Sequence, residues 1–264
     1  MDWTALGFAA GGTGFTFLMT ALGAAMVFFF HKRTSDNIQR IFLGFAAGVM
    51  IAAAVWSLLI PAIEETEAAG RPGWIPAAGG LILGAAFLLV MDKLMPHLHP
   101  GATKAEGPHA SFKRTTLLVL AVTLHNIPEG MAVGLSFARA AQEGDPAYYA
   151  GAMALAIGMG IQNFPEGAAI SLPLRQEGLS TGRSFVYGAL SGLVEPIFGI
   201  LVVLAAGAIR PYMPWMLSFA AGAMLYVVVE ELIPEAHLGE HSHTGTLGVL
   251  FGFLGMMVLD TALG

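Results

Sequence analysis

Long apolar runs dominate the chain, separated by short polar or Gly/Pro-rich breaks, and their lengths decide what they form. Eight runs, at about 3–30, 41–63, 75–95, 114–138, 147–173, 184–207, 212–233 and 245–263, each approach or exceed the roughly 20 residues a helix needs to cross a bilayer. The pattern predicts an all-α polytopic membrane protein with eight transmembrane helices in a single domain over 1–264, leaving no stretch for a soluble catalytic domain. The first run begins beside Asp2 with no basic residues ahead of it, so a retained span is expected rather than a cleaved signal peptide.

The spans repeat one another. The second contains Phe45-Ala46-Ala47-Gly48-Val49-Met50 and ends in Leu59-Ile60-Pro61; the seventh contains Phe219-Ala220-Ala221-Gly222-Ala223-Met224 and ends in Leu232-Ile233-Pro234. These two spans run in opposite directions. The third and eighth reach Asp92 and Asp260 through similar Gly-rich runs, and the fourth and fifth match each other while running antiparallel. The predicted arrangement is a 3+2+3 inverted repeat. Inverted repeats with Pro-interrupted helices mark secondary transporters, whose sites lie near the midplane at the repeat interface. The competing explanation is that Phe-Ala-Ala-Gly recurs because small residues let membrane helices pack closely; the shared Leu-Ile-Pro at matching places favours the repeat.

Composition agrees with the spans. Hydrophobic residues make up 56% of the chain and charged residues 11%, with a mean hydropathy of +0.70, which excludes an ordinary soluble domain. Charge sets an orientation. Nine Lys and Arg (Lys32, Arg33, Arg40, Lys93, Lys104, Lys113, Arg114, Arg175 and Arg183) fall at the breaks after spans one, three, five and seven, against Arg71, Arg139 and Arg210 on the other side. The positive-inside rule puts the nine in the cytoplasm and both termini outside, in a cell (inner) membrane. With no cysteine, any metal site must use nitrogen and oxygen ligands, which suit Zn, Fe, Mn or Co.

Two runs carry the candidate chemistry. His125-Asn126-Ile127-Pro128-Glu129-Gly130 and Gln162-Asn163-Phe164-Pro165-Glu166-Gly167 repeat one pattern 37 residues apart, mid-span. A carboxylate at the bilayer centre costs about 2.5 kcal/mol or more, so two copies ask for a compensating cation. His125 and Glu129, and likewise Gln162 and Glu166, are spaced i to i+4 and share a helix face. Pro128 and Pro165 cannot donate to the carbonyls of Leu124 and Ile161, which are thereby freed. Glu195, followed by Pro196, adds a carboxylate in span six. Each of these lies about ten residues from the cytoplasmic end of its span, which is ~15 Å deep at ~1.5 Å per residue, so they meet at the midplane. Three glutamates with one His, one Gln and two Asn suffice for one or two divalent ions. The alternative, that the amides are interhelical hydrogen bonders and the glutamates pair internally, lacks a Lys or Arg at that depth.

Routes to this centre are less determined. Met50, Ser57 and Glu64 fall at heptad spacing towards the outer surface, with Asp260 near the same end; taken alone, Met50 reads better as packing and Glu64 or Asp260 as a helix-end charge in water, with a graded path of ligands as the functional alternative. On the inner side, Asp92 with His97, and Glu231, Glu235, His237 and His241, sit where spans three and seven end, as an exit path or metal-acceptor patch. His99, His109 and His243 fit a solvated loop as readily.

With their eight spans and His-bearing loop, the HNIPEG and QNFPEG runs closely resemble the ZIP (Zrt/Irt-like protein) family of metal transporters, specifically its bacterial GufA-like branch. The resemblance implies that His125, Glu129, Gln162, Glu166 and Glu195 bind one divalent ion, with a second adjoining site using Asn126 and Asn163 bridged by Glu129, Glu166 and Glu195. Some relatives carry Asp where this chain has Asn163, so that second site has one fewer charge. It further implies Met50, Ser57, Glu64 and Asp260 on an entrance and Asp92, His97, Glu231 and His241 on an exit. The implied function is transport of Zn(II), and of Fe(II), Mn(II), Co(II) or Cd(II), from outside to cytoplasm. The metal is then substrate rather than cofactor. The implied protein is a homodimer, with an elevator-like slide of helices one, four, five and six against the others; its partners are the metal and the lipid bilayer, with no nucleic acid. An intramembrane metalloprotease normally has a His-Glu-x-x-His helix, whereas this chain has a single intramembrane His. A metal-gated sensor is the third alternative.

Overall fold

The computed structural model describes residues 3–29, 36–94, 114–237 and 243–263, and every regular element among them is helical. Eight long helices carry the chain: α1 (Trp3–Phe28), α2 (Asn37–Ala68), α3 (Trp74–Leu94), α4 (Arg114–Glu143), α5 (Pro146–Gln176), α6 (Thr181–Leu204), α7 (Ala206–Ala236) and α8 (Thr244–Leu263). Seven are long and apolar enough to span a membrane. The eighth is α5, 31 residues long, whose opening Pro146-Ala147-Tyr148-Tyr149 and mid-helix Gln162-Asn163 lower its hydropathy. α2, α4, α5 and α7 extend three to five residues beyond the ends that hydropathy alone predicts, because amphipathic final turns add polar residues that such a window rejects.

The helices divide into two packed groups. α1, α4, α5 and α6 pack on one another; α2 packs along α8 and α3 along α7, with α7 against α2. Contacts of α4 with α7 and of α5 with α2 and α8 join the groups. Of the seven apolar spans α4 is the most enclosed, with 71% of its apolar stretch buried against 17% for α8. The outer surface carries large apolar side chains such as Trp74, Ile82, Leu250 and Phe251, the composition of a surface that faces hydrocarbon.

Close helix approach follows from small residues placed in pairs. A Cβ on Gly48 of α2 would overlap the Val249 carbonyl of α8, and one on Gly252 would overlap the Phe45 carbonyl. The same lock recurs between α7 and α3: Gly222 against the Leu81 carbonyl, Gly84 against that of Phe219. The repeated Phe-Ala-Ala-Gly runs therefore make equivalent backbone contacts.

The prolines act where the chain has room for them. α2 loosens into a π turn at Ala54–Leu59 just before Pro61, and α7 does the same at Val228–Leu232 before Pro234. A proline cannot donate to the carbonyl four residues back and crowds it, and a π turn relieves both. By contrast α4 and α5 continue as α-helix through Pro128, Pro165 and Pro173. α6 breaks at Gly192-Leu193, and Glu195 opens its second half.

Candidate metal centre

The spacing shared by the two motifs puts the polar side chains of each on one helix face, and the packing of α4, α5 and α6 brings those faces together. Three direct bonds tie the centre. Gln162 donates through Nε2 to Glu129 Oε2 at 2.8 Å and also to Asn163 Oδ1. Asn163 donates through Nδ2 to Glu195 Oε2 at 2.7 Å. Glu129, Gln162, Asn163 and Glu195 thus form one chain of contacts across α4, α5 and α6, all buried. Glu166, only partly exposed, has Glu129, Glu195 and Glu231 as its charged neighbours. No Lys or Arg is among the buried residues described.

The centre has two layers. His125, Glu129, Gln162 and Glu166 line a cavity of about 540 Å³, whereas Asn126, Asn163 and Glu195 stand behind its wall. That cavity continues past Met50, Glu231 and Glu235 to Gln39 and Glu177, at the helix ends on the face formed by the connections after α1, α3, α5 and α7.

Asn126 owes its setting to the break in α6. In an unbroken helix the Glu195 amide would bond the Ser191 carbonyl; here it bonds Gly192 instead, at 3.1 Å. Asn126 Nδ2 takes up the released Ser191 carbonyl at 3.1 Å. With its donor so engaged, the amide presents Oδ1, a buried acceptor that has no hydrogen-bond partner. His125 meets a different partner: its Nε2 lies 2.6 Å from Glu231 Oε1 on α7. Among the described residues no three His, Asp or Glu side chains stand together in a metal-binding cage. The site amides hydrogen-bond Glu129 and Glu195, and His125 pairs with Glu231.

The expected entrance residues separate. Met50 is buried and borders the cavity, while Ser57 donates to Asp260 Oδ1 at 2.7 Å and Glu64 is exposed near the opposite face. The π turn at Ala54–Leu59 begins between Met50 and Ser57 and contains Ser57, so heptad counting does not carry from one to the other. Of the expected exit residues, Asp92 is buried beside Tyr226, its hydrogen-bond partner, and Glu231 and Glu235 border the cavity. His97 and His241 lie outside the described residues, as does the side chain of His237. Sequence reasoning missed two threonines of α1: Thr20, whose Oγ1 donates to Glu195 Oε1 at 3.3 Å, and Thr16, whose carbonyl accepts from Asn163 Nδ2 at 3.4 Å. Their signal was Thr13, Thr16 and Thr20 recurring every three to four residues, a polar stripe in an otherwise apolar helix.

At the face away from the cavity mouth the two helix groups are tied together. Arg139 of α4 stands 3.4 Å from Glu65 of α2 and lies over the Tyr148 ring, 4.5 Å from its centroid. Gln142 of α4 donates to the Ala206 carbonyl at 3.3 Å.

A bundle of membrane-length helices around buried, uncompensated carboxylates, with a water-sized approach from one face, defines a polytopic membrane protein built to handle cations. The profile of the family described as "ZIP Zinc transporter" matches residues 103–260. Zinc transporter ZIP11 of Bos taurus is 40% identical over 96% of this chain and 96% of its own length. Zinc transporter GufA of Myxococcus xanthus is 40% identical over 93% of this chain and 94% of its length, and zinc transporter ZIPB of Bordetella bronchiseptica is 40% identical over 98% and 82%. The chain belongs to the ZIP family: it is a divalent-metal transporter and not an enzyme, which sets aside the intramembrane protease.

Proposed function

We propose that this protein carries Zn(II) from outside into the cytoplasm, with His125, Glu129, Gln162, Glu166 and Glu195 as the ligands of a midplane site on α4, α5 and α6. The observation that carries the proposal is the contact chain Glu129–Gln162–Asn163–Glu195 at the head of the cavity, an acidic cluster without a buried Lys or Arg among the described residues. A divalent ion replaces the amide donors as counter-charge, and nitrogen and oxygen ligands of this kind also accept Fe(II), Mn(II), Co(II) and Cd(II). The rear layer, with the unpartnered Asn126 Oδ1, offers a second ion neutral oxygen ligands and a share of the same glutamates.

The paired glycine contacts and matching π turns support a 3+2+3 inverted repeat. With the positive-inside orientation, the cavity faces the cytoplasm, both termini lie outside, and the Arg139–Glu65 and Gln142–Ala206 ties close the outer face. Glu231 and Glu235 then lie on the exit, and α1, α4, α5 and α6 move as a unit against the other helices, in a homodimer of the inner membrane. In proteoliposomes, internal zinc should rise with time and saturate with concentration, and Glu129→Ala or Glu166→Ala should abolish that uptake. Stoichiometric zinc binding without uptake would favour a metal-gated sensor and sink the transport reading.

A further inference from the structure

Resting on that reading of the metal site, the geometry points to Thr20 of α1 as the positioning residue for the Glu195 carboxylate, standing where the internal repeat places the counterpart of Glu195 itself. The correspondence is in the backbone. A Cβ on Gly130, the last residue of the α4 motif, would overlap the backbone of Glu195 in α6; a Cβ on Gly167, the last residue of the α5 motif, would overlap the carbonyl of Thr20 in α1. Each motif glycine thus seats one neighbouring residue against the centre. In α6 that residue is a metal ligand; in α1 it is a hydroxyl.

The hydroxyl is aimed at its counterpart. Thr20 is fully buried, and its Oγ1 lies 3.3 Å from Glu195 Oε1, while Asn163 holds Oε2 at 2.7 Å. The two carboxylate oxygens are therefore fixed from two helices, α1 and α5. A threonine in a membrane helix ordinarily returns its proton to the carbonyl one turn back, as Thr13 does to Ala9 at 2.7 Å. The same bond from Thr20 to Thr16 is longer, 3.2 Å, because the proton is shared with Glu195. Of the two acceptors the carboxylate is the stronger partner for the hydroxyl, since charge-assisted hydrogen bonds are stronger than neutral ones.

Thr20 sits directly against the α6 break. Its Cβ, Cγ2 and Oγ1 pack against Gly192, where an added Cβ would stand only 2.9 to 3.0 Å from them. The α6 break that releases the Ser191 carbonyl is thus also the place where α1 enters. Glu195 is consequently presented to the cation in one orientation, which lowers the ordering cost of ligation.

Thr20→Val keeps the shape and removes the hydroxyl; Thr20→Ser keeps the hydroxyl. Zinc binding to purified full-length protein, the zinc dependence of uptake in proteoliposomes, and the thermal midpoint without zinc should be measured for both, beside Glu195→Gln. The valine variant should raise the dissociation constant and the half-saturating zinc concentration by about tenfold, the worth of one hydrogen bond to a charged group. Its maximal rate and metal-free midpoint should stay near wild type, and the serine variant should restore affinity. The inference is overturned if Thr20→Val binds zinc within about twofold of wild type, if Thr20→Ser is as defective as Thr20→Val, or if the valine change lowers the midpoint and leaves half-saturation alone. Wild-type affinity in Glu195→Gln would instead overturn the site reading; loss there with a silent Thr20→Val overturns only the role of Thr20.

Discussion

At the residue scale the centre depends on amides whose two ends do different work. Asn126 spends its donor on the Ser191 carbonyl that the broken α6 cannot use, which turns its oxygen into a free acceptor. Asn126→Ala should leave that carbonyl buried and unpaired, lowering metal-free stability by about 1 to 3 kcal/mol, as read from thermal unfolding in detergent. The i to i+4 pairs His125/Glu129 and Gln162/Glu166 were legible in the sequence because helical periodicity alone fixes a shared face. The amide bonds were not, since they depend on a helix break that composition does not announce. Nor was the part of Thr20 visible, because a threonine that satisfies its own backbone and one that serves a distant carboxylate look identical in a string of letters.

At the element scale the helices hold together through carbonyls seated on glycines, and the two halves use this device at matching places. Gly48→Ala and Gly222→Ala should each force a backbone shift, at Val249 and Leu81 respectively, costing about 1 to 3 kcal/mol in stability and losing monodispersity on size exclusion. Comparable losses at the two positions would bear out their equivalence; a loss at only one would count against it. Spans were well marked by hydropathy, and the Phe-Ala-Ala-Gly runs mark the glycines at which α2 meets α8 and α7 meets α3. The ends were less so: α2 runs to Ala68 and α4 to Glu143, carried by residues whose polarity suits the membrane boundary. The π turns escaped because Pro61 and Pro234 announce a disturbance, while Pro128 and Pro165 sit in unbroken helix.

At the scale of the whole molecule, the cavity at the centre opens among the described residues towards one face, and the Glu65–Arg139 pair spans the two helix groups at the other. The chain has no cysteine, so Met50→Cys supplies a unique thiol beside the cavity. A membrane-impermeant thiol reagent should label it from the cavity side. Adding Arg139→Gln should raise labelling from the opposite side by roughly fivefold, the effect of about 1 kcal/mol on the balance of two states. Unchanged labelling would mean that the pair does not hold the face closed. The cavity mouth owes its acidic wall to a matter of phase. The π turn of α7 holds one residue more than an α turn would, and a residue is worth about 100° of rotation. Glu230 is exposed and Glu231 is turned inward to His125. Deleting one residue from Val228–Leu232 would rotate everything after it, so this single surplus residue determines which of two neighbouring acids looks into the protein and which looks out.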